Sequence, residues 1–283
     1  METNVIYQGE CSNVMQENIP DNSIDLTVTS PPYDDLREYE GYEFNYKPIA
    51  EQLYRVTKEG GVVVWVVGDQ TIDGSETGNS FRQALYFKEI GFNLHDTMIY
   101  AKQNPIPLTH NRYEQQFEYM FVFSKGKPKT FNPIKIETKN QGTKRNVNYE
   151  VGATNEKNSA IRSGMERIWT VKNERIKYNI WICKIGANQT TNDKKAFNHP
   201  AIFPEKLAKD HIKSWSNEGD VILDPMCGSG TVLKQAEILK RKWIGIDIAE
   251  KYVNLSYKRV GKVNRSYYKE LPKSERPAQK QLF

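Results

Sequence analysis

A serine, two prolines and a tyrosine lie at the end of an apolar run near the start of the chain. The run IDLTVTS covers residues 24–30, and its last residue, Ser30, is followed by Pro31, Pro32 and Tyr33. Each proline fixes its own φ angle, removes a backbone donor and restricts the residue before it. Two adjacent prolines therefore set the directions of the neighbouring carbonyl groups. Such rigidity is either a strand exit without function or a device that holds a ligand in place.

A second stretch, VILDPMCGSGT (221–231), predicts a small-molecule site. It combines a strand, a turn with Gly228 and Gly230, and the start of a helix whose free N–H groups can face a ligand. Asp247 lies nineteen residues beyond Gly228, at the end of the next predicted strand, where nucleotide-binding folds hydrogen-bond a ribose. The dinucleotide fingerprint would require glycine in place of Leu233, and no P-loop pattern is present. The stretch therefore favours a ligand that contains adenosine but is not NAD.

Predicted strands and helices alternate on either side of a polar central region. The predicted strands cover residues 5–9, 24–30, 62–69, 94–102, 118–125, 220–225 and 243–248. The predicted helices cover residues 45–61, 79–92, 203–215, 231–242 and 249–260. The first of these helices is expected to end at Gly60–Gly61. This order predicts an α/β fold with a mostly parallel sheet that is covered by helices on both faces.

The composition limits the class of protein. The chain has 283 residues, of which 38% are apolar, and no run approaches the ~20 apolar residues of a membrane helix. We therefore expect a soluble protein with one large domain, or with a domain that carries an insertion. Cys11, Cys183 and Cys227 are far apart and form neither a disulfide framework nor a zinc motif, which favours a reducing cytosol.

The positive charge is concentrated in one segment. Residues 125–200 hold 16 Lys and Arg against 6 Asp and Glu, a balance of +10, whereas the remainder of the chain has a balance of −5. This distribution predicts a region that faces a polyanion, attached to an enzyme core. A solvated basic loop is the alternative.

The motifs TSPPY and DPMCGSGT together resemble the two signature motifs of the S-adenosylmethionine-dependent DNA amino-methyltransferases. The order, with TSPPY first and a basic region between the motifs, resembles the β class of this family. The resemblance implies a Rossmann-like methyltransferase fold with a circularly permuted motif order. It also implies a catalytic half at 1–124, an inserted target-recognition region at 125–198 and a cofactor-binding half at 199–262. The last residues, 263–283, are rich in Lys, Ser, Pro and Gln and are expected to form a flexible tail.

The resemblance further implies a set of site residues. The catalytic residues it implies are Ser30, Pro31, Pro32 and Tyr33. The cofactor-binding residues it implies are Glu10, His199, Phe203, Asp224, Pro225, Cys227, Gly228, Ser229, Gly230, Thr231 and Asp247. Contacts with DNA are expected from Lys139, Lys144 and Arg145, and from Arg37 unless it pairs with Asp34 on the same loop.

The chemistry of this family explains the rigid TSPPY exit. The lone pair of an exocyclic amine is delocalised into the ring, and two acceptors that bond its N–H groups localise that pair. The Ser30 hydroxyl and the Pro31 carbonyl are the expected acceptors, and Tyr33 is expected to stack on a base that has flipped out of the duplex. Methylation of a cytosine ring carbon would need a nucleophilic cysteine after a proline, and no cysteine in the chain follows a proline.

Ser30 favours methylation of N4 of cytosine, because adenine enzymes of this family more typically have an acidic or Asn residue there. An adenine N6 enzyme with the same fold and a non-catalytic DNA-binding protein on this scaffold are the alternatives. The expected partner is double-stranded DNA, and a prokaryotic or phage protein of the cytoplasm that associates with the nucleoid is expected, with no membrane association. A cognate restriction endonuclease, a homodimer and a sliding clamp that binds the terminal QKQLF (279–283) are left open.

Overall fold

The computed structural model describes residues 1–32, 44–104, 112–139, 142–147, 167–170, 172–186, 190, 191, 193, 196, 202–261 and 263. Four residues that the sequence singles out, Tyr33, Asp34, Arg37 and His199, lie outside these ranges, as does the QKQLF segment. For Lys144 and Arg145 the structure describes the backbone.

The described strands are β1 (Val5–Gln8), β2 (Ile24–Thr29), β3 (Thr57–Val67), β4 (Thr71–Ile72), β5 (Ser75–Glu76), β6 (Asn93–Lys102), β7 (Phe117–Ser124), β8 (Lys135–Glu137), β9 (Lys144–Val147), β10 (Arg167–Thr170), β11 (Glu174–Ile176), β12 (Ile180–Cys183), β13 (Val221–Asp224) and β14 (Lys242–Asp247). The described helices are α1 (Cys11–Asn18), α2 (Tyr46–Val56), α3 (Asn79–Glu89), α4 (Glu205–Trp215), α5 (Thr231–Ile238) and α6 (Glu250–Val260). Within the described ranges, no helix has the length and apolar character that crossing a membrane would require.

Eight strands form one sheet in the order β1-β14-β13-β2-β3-β7-β6-β12. The neighbours from β1 to β3 are parallel, β7 is antiparallel to both of its neighbours, and β12 is parallel to β6. The mostly parallel sheet that the sequence predicted is therefore confirmed. Because β1, β14, β13, β2 and β3 run the same way, their carboxyl ends meet at one edge of the sheet.

Alternate residues of β3 serve the two faces of this sheet. Val63 and Trp65 belong to a core cluster that includes residues of α1, α2 and α3. Val62 and Val64 are also buried and point to the opposite face, since side chains alternate along a strand. Helices α4, α5 and α6 pack against one another and against β2, β13 and β14. A strand covered on both faces has a continuous apolar sequence, as VVVWVV does.

Aromatic rings hold α3 against the sheet. Phe87 of α3 stacks on Phe123 of β7 with ring centroids 4.5 Å apart, and its centroid lies 5.1 Å from that of Trp65. The Trp65 indole donates a hydrogen bond to the Gln83 side chain of the same helix at 2.7 Å. The core on this face therefore includes Trp65, which lies two residues before the end of β3.

Two helices, α2 and α5, end at least four residues before the sequence predicted. Helix α2 ends at Val56 rather than at Gly60–Gly61, because Thr57 begins β3 and pairs with β2. Helix α5 ends at Ile238, and the strand β14 begins at Lys242, for which the sequence predicted a helical conformation. In both cases the local pattern allowed another helical turn, but residues of that turn form a strand because they pair with a neighbouring parallel strand.

Residues Pro133–Tyr178 form a compact unit that is separate from the unit formed by residues 1–132 and 179–283. In the smaller unit β8 pairs with β11 and β9 pairs with β10, both antiparallel. This unit lies within the range 125–198 in which a target-recognition region is predicted. Strand β12 also falls in that range, yet it is the edge strand of the main sheet.

Candidate active site

The carboxyl ends of neighbouring parallel strands carry the polar residues of the candidate site. Strand β14 ends at Asp247, β13 ends at Asp224, and β2 ends directly before Ser30. Strand β13 pairs with β14 on one side and with β2 on the other. The glycine motif that follows β13 therefore lies between Asp247 and the segment Ser30–Pro32, which we call the SPP segment. In open α/β sheets, ligands bind at this edge.

The glycine motif forms a loop at Cys227–Gly230, the glycine loop, which backbone hydrogen bonds hold in place. The Cys227 amide donates to a β14 carbonyl at 2.9 Å, and the Gly230 amide donates to the Cys227 carbonyl at 2.7 Å. Gly230 has a φ of 72°, and a Cβ atom there would lie 2.7 Å from Oγ of Ser256 and 3.0 Å from its Cα. Only glycine satisfies both the left-handed backbone and the close approach of α6.

Two backbone amides orient the Asp247 carboxylate. Its Oδ2 accepts from the Gly228 amide at 2.8 Å, and its Oδ1 accepts from the Ala249 amide at 3.0 Å. The side chain is half-buried. A carboxylate offers about four acceptor sites, so it can bind a ligand hydroxyl while these amides hold it. A carboxylate held in this way, beside a loop that has no side chain at Gly228, fits a cofactor that contains a ribose.

A buried hydrogen bond joins the two motifs. The Thr29 hydroxyl at the end of β2 donates to Oδ1 of Asp224 at the end of β13, at 2.9 Å. Burial, together with the nearby charge of Asp247, raises the pKa of Asp224 to about 7, although hydrogen bonds from Thr29 and the Met226 amide partly oppose the shift. Oδ1 of Asp224 accepts both of these hydrogen bonds, and the bond from Thr29 holds β2 beside β13.

Ser30 and the two prolines follow this hydrogen bond directly in the chain. Thr29 pairs with Trp65 of β3, so the chain leaves the sheet at Ser30. Ser30 and Pro32 are half-buried, and Pro31 is buried. The Ser30 hydroxyl and the Pro31 carbonyl thus belong to the same sheet edge as the glycine loop.

Comparison with known proteins identifies the family. The model of the N6_N4_Mtase family, described as DNA methylase, matches residues 24–258, which include both motifs. The chain belongs to this family.

Two similar methyltransferases come from bacilli. The orphan methyltransferase M.BamHII of Bacillus amyloliquefaciens is 56% identical over 249 residues, which cover 87% of this chain and 92% of that protein. The type II methyltransferase M.BglII of Bacillus subtilis is 27% identical over 263 residues, which cover 90% of this chain and 68% of that protein.

Solved structures share the fold of this DNA methylase. The PvuII DNA methyltransferase (cytosine-N4-specific) has a TM-score of 0.65 at 20% identity, with 94% of this chain and 92% of that chain covered. The complex of M1.HpyAVI with SAM has a TM-score of 0.59 at 22% identity, with 90% and 98% covered. The Rossmann-like methyltransferase fold that the sequence predicted is confirmed.

Among the other predicted cofactor residues, Glu10 has a clear local function in the methylase. It caps α1, where its carboxylate accepts from the amides of Ser12 and Asn13 at 3.0 and 2.9 Å and from the Ser12 hydroxyl at 2.6 Å. Burial raises the pKa of Glu10, but these hydrogen bonds outweigh burial and hold it below its usual value. Pro225, Cys227, Ser229 and Thr231 are buried, and Phe203 is half-buried.

Cys11, Cys183 and Cys227 of the methylase are buried, and none of them forms a disulfide bond. Burial raises the pKa of the Cys227 thiol, and the charges of Asp247 and Asp224 raise it further. Burial and the adjacent Glu10 likewise raise the pKa of Cys11. A thiol with a raised pKa is a poor nucleophile at neutral pH, so the site does not favour a covalent cysteine mechanism.

Two polar residues at the sheet edge were not predicted from the sequence. Thr29 lies within an apolar run, yet its hydroxyl makes the bond to Asp224. Asp69, two residues after β3, is buried and caps α3 by accepting from the Ser80 amide at 2.8 Å and from the Ser80 hydroxyl. A polar residue at the end of an apolar strand is the signal that could have identified both.

The smaller unit carries basic residues of the predicted DNA-binding region. Lys135, Lys172 and Arg175 line a groove of about 920 Å³ that is formed by residues of the paired strands β8 and β11 and of the segments next to them. Lys135 lies 3.3 Å from Glu174, and both side chains are exposed, so this ion pair contributes little stability. Lys139, for which the sequence predicted a DNA contact, is exposed beyond the end of β8.

Proposed function

We propose that this DNA methylase transfers a methyl group from S-adenosylmethionine to the exocyclic N4 nitrogen of cytosine in duplex DNA. The hydrogen bond between Thr29 and Asp224 carries the proposal, because it joins the strand that ends at the SPP segment to the strand that opens the glycine loop. The acceptor groups of Ser30 and Pro31 and the loop at Gly228 therefore share one edge of the sheet. Methyl transfer requires this proximity of the two sites.

The glycine loop and Asp247 are proposed to bind the cofactor. S-adenosylmethionine, when bound, would supply an electrophilic methyl group and leave as S-adenosylhomocysteine, and the methylated amine would release one proton to water. Asp247 would accept hydrogen bonds from the ribose hydroxyls, with its direction fixed by the Gly228 and Ala249 amides. Fixed orientation matters here, since positioning supplies much of the rate of a direct displacement.

The SPP segment is proposed to activate the amine. The Ser30 hydroxyl accepts from one N–H of the amino group, and the Pro31 carbonyl accepts from the other. These two bonds draw the nitrogen toward tetrahedral geometry and direct its lone pair toward the methyl group. Pro31 and Pro32 hold the acceptors rigidly, so little ordering remains to be done when the base enters.

The target base must leave the duplex before it can reach this edge. Flipping costs a few kcal/mol, which contacts with the extruded base and with the DNA backbone must offset. In the proposal, Tyr33 stacks on the flipped base, and basic residues of the range 125–198 bind phosphates. The groove with Lys135, Lys172 and Arg175 adds three candidates to those named from the sequence.

The preference for cytosine rests on Ser30, because serine at this position is more typical of the N4-specific members of the family. A restriction endonuclease, a homodimer and a sliding clamp remain predictions about partners from the sequence alone.

The experiment is mass analysis of nucleosides from DNA methylated by the purified protein, together with single-turnover kinetics of Ser30→Ala. N4-methylcytosine is the expected product. Loss of the Ser30 hydroxyl should lower the rate of methyl transfer at saturating DNA and cofactor by ~10²-fold or more, because the group acts in the transition state.

Ser23→Ala is a matched control. Ser23 precedes the same strand, β2, at its opposite end, where its hydroxyl donates to the Pro20 carbonyl at 2.7 Å. This variant should keep the wild-type rate. N6-methyladenine as the sole product would refute the cytosine assignment, and a fully active Ser30→Ala would refute the mechanism.

A further inference from the structure

A cluster of four charged side chains lies behind the glycine loop. Arg259 of α6 is fully buried, with its guanidinium 3.2 Å from Asp193 and 3.1 Å from Glu205. Lys234 of α5 lies 2.8 Å from Glu205 and 3.9 Å from Asp193. Burial raises the pKa of Glu205, but hydrogen bonds from Lys234 and Thr191 and the charge of Arg259 outweigh it and lower the pKa. The cluster therefore pairs two basic side chains with two acidic ones.

The guanidinium also contacts the glycine loop itself. Its Nη1 lies 2.5 Å from the Ser229 carbonyl oxygen and 2.9 Å from the hydroxyl oxygens of Ser229 and Thr231. Three residues earlier on α6, the Ser256 hydroxyl donates to the Gly228 carbonyl at 2.8 Å. Two successive carbonyls of the loop thus bond to neighbouring side chains on one face of α6.

These contacts fix the peptide group between Ser229 and Gly230 at both ends. Its carbonyl accepts from Arg259, and its N–H donates to the Cys227 carbonyl at 2.7 Å. The plane of this peptide sets the left-handed conformation of Gly230, the residue directly before α5. The shape of the loop therefore depends on a side chain from a different helix.

A buried ion cluster is a costly way to stabilise a core, because the desolvation of the charges offsets much of their attraction. Well-packed apolar side chains often stabilise a core as well. The arginine's contacts with Ser229 and Thr231 are what an apolar residue could not provide. We infer that Arg259 is a positioning residue that holds the glycine loop in its cofactor-binding conformation, while Asp193 and Glu205 balance its charge. This inference rests on the proposed binding of S-adenosylmethionine by that loop.

The test compares cofactor affinity and thermal stability in two variants. Arg259→Lys keeps a positive charge near the carboxylates but lacks the forked donors that reach the loop. Its dissociation constant for S-adenosylmethionine, measured by calorimetry, should rise about tenfold or more, as expected for the loss of hydrogen bonds from a charged group. Its affinity for DNA without cofactor should stay within about twofold of wild type, because the smaller unit is untouched.

Asp193→Asn is the control variant, because it disturbs the same cluster but leaves the contacts of Arg259 with Ser229 and Thr231 in place. It should melt at a lower temperature than wild type yet bind S-adenosylmethionine within about threefold of the wild-type affinity. If Arg259 only stabilised the fold, its replacement would lower the affinity for S-adenosylmethionine only in proportion to the loss of stability. Equal affinity losses in the two variants would overturn the inference.

Thr231→Val keeps the inference testable if Arg259→Lys does not fold. It removes one acceptor of the guanidinium without changing any charge, and it should weaken cofactor binding by about threefold to tenfold. An unchanged affinity in this folded variant would overturn the inference. Failure of the wild-type protein to bind S-adenosylmethionine would refute the proposed function, and the inference with it.

Discussion

Replacing Gly230 by alanine tests how tightly the glycine loop packs against α6. The residue has a left-handed φ of 72°, and an added Cβ would lie 2.7 Å from the Oγ of Ser256, 2.8 Å from its Cβ and 3.0 Å from its Cα. The hydroxyl could rotate away, but doing so would break its bond to the Gly228 carbonyl. The Cα belongs to the helix backbone, so the loop or α6 must shift.

The expected cost has two parts. An alanine in the left-handed region costs about 1–2 kcal/mol, and overpacking of a tight contact costs about 1–3 kcal/mol. Gly230→Ala should therefore lower the free energy of unfolding by about 2–5 kcal/mol. Gly219→Ala is the matched control, because Gly219 has a φ of 87° and its Cβ would meet nothing within 4 Å. It should show only the first part, about 1–2 kcal/mol.

Equilibrium unfolding in urea measures both variants under the same conditions. We expect Gly230→Ala to be the less stable variant and to lose affinity for S-adenosylmethionine, whereas Gly219→Ala should keep the wild-type affinity. Equal destabilisation of the two variants, to within about 0.5 kcal/mol, would show that α6 yields to the added methyl group. The close packing of the loop would then be refuted.

Three further changes test other parts of the site. Asp247→Ala should weaken the binding of S-adenosylmethionine by ~1.5–3 kcal/mol, and calorimetry that shows an unchanged affinity in the folded variant would reject the ribose contact. The raised pKa of Asp224, about 7 against an ordinary 3.8, means that the native state keeps a proton which the unfolded state releases. The free energy of unfolding of the wild type should therefore fall as the pH rises from about 4 to about 7, and Asp224→Asn should lack this decline. Parallel pH profiles of the two proteins in urea unfolding would contradict the assignment. Neutralising Lys139, Lys144 and Arg145 together should reduce the salt dependence of DNA binding by roughly 0.9 in log–log slope for each phosphate that these side chains neutralise, and equal slopes would exclude these residues from the interface.

The strands and loop of the candidate site could be predicted from the sequence because their signals are local. The run 24–30 is apolar until two prolines prevent its continuation, and the run 221–224 stops at a proline that leads into glycines. Asp247 ends an apolar strand at the distance from Gly228 that a strand–loop–helix unit requires. Each of these signals lies within a few residues of the feature it predicts.

Features that depend on partners elsewhere in the chain could not be predicted in this way. The end of α2 at Val56 is decided by the pairing of Thr57 with Ile24, although the local pattern allows a longer helix. The separation of residues Pro133–Tyr178 from the main sheet, and the inclusion of Ile180–Cys183 in it, also depend on long-range pairing. Local propensity is weak enough for tertiary contacts to override it.

The sequence by itself determined the elements and the chemical types at the sheet edge, but only the tertiary structure decided which side chains act together. Nothing near Thr29 in the chain indicates Asp224 as its partner, and nothing near Arg259 indicates Ser229. These bonds arise because β2 lies beside β13 and α6 crosses behind the glycine loop. A polar group needs a specific partner only when packing removes it from water, so the choice of partner belongs to the folded state.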